Sequence, residues 1–114
     1  MSPARRQSLL WLAQRASAGL LALCVVVHLA TMIFAVRGGL TSAEILGRTR
    51  GSAAWAAFYG AFVLGVAIHA PIGLRTIVAE MRGGHGRGID AAMLAFAAAL
   101  LVLGLRAVVA VTAT

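Results

Sequence analysis

The sequence predicts an all-α membrane protein with three transmembrane helices, its N-terminus cytoplasmic and its C-terminus outside. Three observations carry that reading. Of 114 residues, 61% are hydrophobic and only 11% are charged, whereas a soluble domain carries about a quarter charged residues. The apolar residues gather into runs at about 16–36, 53–78 and 91–111. Each is long enough, at ~1.5 Å per residue, to cross ~30 Å of hydrocarbon. All ten basic residues are arginine, and they stand near or beyond the ends of those runs.

Residues 1–14 hold Arg5 and Arg6, then an amphipathic stretch over 8–14 with Trp11 at interface depth. Paired arginines before an apolar run resemble a secretion signal. Here Gln14 and Arg15 interrupt the run and no small-x-small cleavage site follows, so a retained membrane protein is expected. The first span, 16–36, has no formal charge and ends at Arg37-Gly38-Gly39. Thr41-Ser42-Ala43-Glu44 is a capping-box pattern and predicts a short interfacial helix. The second span, 53–78, contains His69 and Pro71. Proline lacks the backbone donor, so a kink is expected just after His69. The stretch 81–90, MRGGHGRGID, reads as a flexible, basic, glycine-rich loop in which His85 is solvated and uninvolved. Asp90 is expected to cap the third span, 91–111, and Arg106 near its far end can snorkel to the interface.

Three spans place the termini on opposite sides. Arg5, Arg6, Arg15, Arg75, Arg82 and Arg87 fall on one side, and Arg37, Arg48 and Arg50 on the other. Six against three puts the N-terminus and the second loop in the cytoplasm. The net charge of +7 invites a nucleic-acid reading. Yet the arginines flank apolar runs instead of forming a patch interleaved with aromatics; the expected surroundings are membrane lipid and protein, with no nucleic acid. Cys24 is the single cysteine, which excludes an intrachain disulfide and any cysteine-based metal cluster.

The chemistry lies in the polar residues within the spans. His69 sits about eleven residues from the cytoplasmic end of its run, ~16 Å deep by helical rise. Gly65 and Gly73 stand four residues to either side, with Ala61 and Ala57 further back. These positions share one helical face. A face with an imidazole between two glycines leaves clearance for a flat macrocycle ligated by that imidazole; close crossing by a partner helix produces the same ladder. An ionisable residue inside a span is a functional-site hypothesis by default. His28 lies in the first span with Cys24 and Met32 four residues to either side. Its face is less open, and ligation and a packing role both fit it. Neither histidine has a carboxylate or cysteine ligand partner that would suit zinc. A solitary histidine in each of two spans suits haem, which needs one or two axial imidazoles in an apolar slot. Arg15 and Arg75 fall near the cytoplasmic boundary. There they either neutralise haem propionates or snorkel and set topology. Ser17 is expected to bond the carbonyl three or four residues back in its own helix.

His69-x-x-x-Gly73-x-Arg75, followed by Glu80, resembles the second-helix signature of the cytochrome b membrane-anchor subunits of succinate dehydrogenase and fumarate reductase. In that family the histidine of H-x-x-x-G-x-R is an axial haem b ligand. Upstream, Gln14-Arg15-Ala16-Ser17-Ala18-Gly19 is similar to the family's H-R-x-S-G motif, whose arginine lies near the haem propionates and the quinone pocket. The likeness covers about residues 11–80, plus a third span of the expected length. This chain departs from the pattern at three places. Gln14 replaces the usual histidine, Ala18 inserts a residue between Ser17 and Gly19, and Trp11 occupies a position where a quinone-contacting serine is often found. His28-Leu29, about nine residues before Arg37-Gly38, is similar to the first helix of the two-haem anchors.

The resemblance implies a single anchor domain, 1–114, in the bacterial inner (cytoplasmic) membrane. It would hold a flavoprotein and an iron–sulfur subunit and pass electrons between the iron–sulfur protein and quinone, its substrate. It implies one haem b on His69, shared with a second subunit, and a second haem if His28 also ligates iron. Gly65, Gly73, Arg15 and Arg75 would line the haem; Trp11, Arg15 and Ser17 would meet the quinone. The chain has no flavin motif and no cysteine cluster, so dicarboxylate chemistry would belong to the partners. The second axial ligand would come from a companion anchor or a second copy of this chain. Two other classes fit the same residues: a small transporter or channel subunit using His69 and Arg75, and a structural assembly partner without haem.

Overall fold

The computed structural model describes residues 1–114 and has four helices: α1 (Pro3–Arg37), α2 (Ser42–Thr49), α3 (Ala53–Arg82) and α4 (Arg87–Thr112). There is no strand. The helices α1, α3 and α4 are long and apolar enough to cross a membrane, and the chain is a multi-pass membrane protein.

Local chemistry explains most helix ends. Ser2 accepts a hydrogen bond from the Arg5 amide and Pro3 occupies the first turn, where its missing N–H costs nothing. Thr41 accepts from the Glu44 amide, so the capping-box residues do start a short helix, α2. Ser52 caps α3 by accepting from the Trp55 amide. Gly83, at φ +84, ends α3 in the left-handed conformation that glycine reaches without strain.

Three expectations need correction. Residues 1–14 are no separate segment: α1 runs unbroken through Gln14 and Arg15 over 35 residues, ~52 Å of helix against ~30 Å of hydrocarbon. Straight-chain residues and alanines at 4–15 sustain the helix through a stretch whose sequence shows only amphipathicity. The glycine-rich loop shrinks to 83–86, because α3 continues to Arg82 and α4 begins at Arg87. Asp90 does not cap α4. The cap is Gly86, without a side-chain bond, and Asp90 stands inside the first turn, where its charge still suits the helix dipole. α3 keeps its helical backbone through Pro71, which is buried.

The three long helices form a layer with α3 in the middle, packed against both α1 and α4. At one rim, Arg6 of α1 and Arg75 of α3 both bond Asp90 of α4. At the other, the Gly51 amide donates to the Thr112 carbonyl at 2.8 Å and Thr49 Oγ1 donates to the Val111 carbonyl at 2.6 Å, which pins α2 to the end of α4. The two termini therefore lie at opposite rims.

Packing in this layer is thin: only 7 of 114 residues are buried. Leu23, Val26, Leu94 and Leu103 are each more than half exposed, a burden in water but not in lipid. With little apolar burial between helices, close approach and interhelical hydrogen bonds hold such layers together. The α1 face toward α3 follows that rule, with Gln14, Ser17, Leu21, Cys24, His28 and Thr31 at alternating spacings of three and four. On its opposite side, α3 meets α4 where Gly104 lies against Val63.

Candidate functional site

His69 sits on the α3 face toward α1, half-buried. Its Nδ1 lies 3.3 Å from Ser17 Oγ. Ser17 is 5% exposed, and its Oγ donates to the Gln14 carbonyl at 3.1 Å. A hydroxyl has one hydrogen. With that hydrogen on the carbonyl, Ser17 accepts from Nδ1–H, and in that tautomer the lone pair is on Nε2. That assignment satisfies both contacts at once. Nε2 makes no hydrogen bond within the chain and is not among its sealed polar atoms. A metal-ligating histidine is arranged in this way, one ring nitrogen tethered and the other presented. The expected back-bond of Ser17 to its own helix is present, and the serine also reaches a partner across the interface.

The glycines do not leave an open slot. A Cβ at Gly65 would lie 3.0 Å from Leu21 Cδ2 and 3.4 Å from Leu20 Cδ2, and a Cβ at Gly73 would lie 3.2 Å from Gln14 Nε2. The space on that face is taken by side chains of α1. Of the two meanings of the glycine ladder, close helix crossing is the one seen at Gly65 and Gly73. A planar group bound at Nε2 would sit beside this crossing and would need a wall from another chain.

His28 is placed differently. Its ring meets Tyr59 and Phe62 edge-on, with centroids 5.9 and 6.0 Å away. Its Nδ1 is buried without a hydrogen-bond partner, at a cost of ~1–3 kcal/mol. Nothing fixes the tautomer as Ser17 does for His69, so the ring lacks the support a haem ligand normally has. His28 and His69 face the same interface at different depths and do not converge.

The rim holds the predicted arginines in two settings. Arg75 Nε donates to Asp90 Oδ1 at 2.7 Å, and Arg6 donates to Oδ2 at 3.2 Å. Asp90 thus ties all three long helices together. The Arg75 side chain is 13% exposed, and its two Nη groups have no partner within the chain, so they can take a further anion. Arg15 is exposed, with its guanidinium 5.3 Å from the centroid of the Trp11 ring one turn earlier. Trp11 itself is exposed. Ser17 therefore belongs with His69 rather than with Trp11 and Arg15.

No family model, curated protein or solved structure matches the chain.

Sequence reasoning misses three residues of structural weight. Asp90 reads as a cap, although an acid between Arg6, Arg75 and Arg87 at one membrane boundary signals an ion-pair node. Gly104 sits mid-run in the third span and carries the α3–α4 crossing. Tyr59 belongs to a cluster with Trp55, Phe58 and Phe62, whose spacing on one helix end marks an interface belt.

Proposed function

We propose that this chain is the haem b-binding membrane anchor of a succinate dehydrogenase- or fumarate reductase-type complex. The observation that carries the reading is the Ser17–His69 pair, which engages Nδ1 and leaves Nε2 without a hydrogen bond in the chain. The motif resemblance at His69, Gly73 and Arg75 supports the same residue. When bound, a b-type haem supplies a reversible one-electron relay.

The residues divide the work. His69 offers its nitrogen and Ser17 fixes the ring. Arg75, braced by Asp90, keeps free donors for a propionate, and Arg15 adds a second cation at the same rim. Trp11 and Arg15 are the exposed pair proposed to meet quinone; Ser17 acts through His69 instead. We assign one haem, at His69, completed by a companion anchor or a second copy. The flavoprotein and iron–sulfur subunits would dock on the rim that carries Arg5, Arg6, Arg82 and Arg87.

That rim is proposed to be cytoplasmic in a bacterial inner membrane. Counting Arg106 with Arg37, Arg48 and Arg50, the arginines divide six to four in its favour. Reporter fusions at Gly84 and Thr114 should fall in opposite compartments, with Gly84 inside; an external Gly84 inverts the orientation. Purified with its companions, the complex should contain b-type haem, one per chain if a companion anchor completes it or one per two chains if a second copy does, unchanged in His28→Ala. A haem-free complex favours the second reading, a structural partner in which Ser17–His69 is a helix-to-helix hydrogen bond. The filling of the Gly65 face by Leu20 and Leu21 is the observation on that side.

A further inference from the structure

Toward the rim opposite Asp90, a cavity of about 650 Å³ opens between α3, α4 and the underside of α2. Its wall is mainly apolar, including Val66, Leu103 and Ala107. A second cavity, of about 470 Å³, adjoins it and shares His28, Ile45, Thr49 and Tyr59 with the first. Arg48 lines the second cavity. The groove these adjoining cavities outline has Arg48 in one half and the mainly apolar pocket in the other, with His28 and Tyr59 lining both.

Arg48 is the unusual member. Its guanidinium lies 5.9 Å from the centroid of the Phe34 ring, so it is held against α1 at the mouth. It has no carboxylate partner, since both ion pairs of the chain involve Asp90 at the other rim. The surrounding rim has Arg37, Arg50 and Arg106 with one acid, Glu44. A cation at the interface above an apolar groove is complementary to one kind of membrane molecule, an anion with a long apolar tail. We infer that this groove is a site for a single anionic phospholipid, its phosphate on Arg48 and an acyl chain under α2 in the cavity beside Ala107. The pocket size lies in the range of small-molecule sites.

The chain, purified with the subunits that accompany it, is reconstituted in nanodiscs of equal phosphatidylglycerol and phosphatidylcholine, and the retained lipid is measured by native mass spectrometry. The wild type should retain phosphatidylglycerol several-fold over phosphatidylcholine. Arg48→Gln should bring that ratio to near parity, while Arg106→Gln, on the same rim but outside the groove, should leave it unchanged. Ala107→Phe should lower retention of both lipids by filling the cavity. No preference in the wild type, equal losses in the two arginine variants, unchanged retention in Ala107→Phe, or a retained molecule that is not a phospholipid would each overturn the assignment. If Ala107→Phe fails to assemble, the contrast between Arg48 and Arg106 still decides.

Discussion

Gly104→Ala is expected to destabilise the helical layer by ~1–3 kcal/mol, the usual cost of overpacking a fitted contact. An added Cβ would stand 2.5 Å from Val63 Cγ1 and 2.9 Å from Cγ2. Valine is branched at Cβ and cannot swing aside within a helix, so the backbones of α3 and α4 must separate. Gly65→Ala should cost less, because the atoms it meets first are the flexible end of Leu21. Gly65→Leu should cost more than Gly65→Ala by pushing α1 away. Gly60 has nothing within 4 Å, and Gly60→Ala should be neutral or stabilise by roughly 0.5–1 kcal/mol through helix propensity. Thermal unfolding in detergent should rank the alanine variants as Gly104, then Gly65, then Gly60. Equal effects at all three positions contradict this packing.

Much of this architecture is legible in the sequence because a membrane reduces the problem to apolar length, caps and arginine placement. The three runs, the short helix after Thr41 and the back-bond of Ser17 follow from composition and local spacing alone. What is not legible depends on which faces meet. The ladder Gly65-His69-Gly73 has two meanings, and spacing within one helix cannot say whether a neighbour fills it. Gln14 and Leu21 of α1 do fill it. The partner of His69 is likewise unreadable, since it lies 52 residues away in sequence, and an alternation of three and four along α1 marks a face without naming what opposes it. Asp90 shows the same limit. Its role as a node between Arg6 and Arg75 exists only once three helix ends are brought to one rim.

On the haem ligation proposed above, the largest functional effect is expected at His69. There Nε2 is a strong axial-ligand atom left without a hydrogen bond in the chain, so its removal should abolish the proposed haem binding rather than weaken it. Ser17→Ala should keep the ligand but free the ring. Removal of such a supporting bond typically costs about 10–100-fold in metal affinity, and the haem midpoint potential should shift. Ser17→Thr, which retains the hydroxyl, should restore much of both.

The most direct measurement is the reduced-minus-oxidised spectrum of the complex purified with its companion subunits, wild type beside His69→Ala and His69→Leu. A low-spin b-type signal is expected in the wild type, lost or converted to high spin in both variants, with membrane insertion intact. A spectrum unchanged by either substitution would contradict haem ligation by His69.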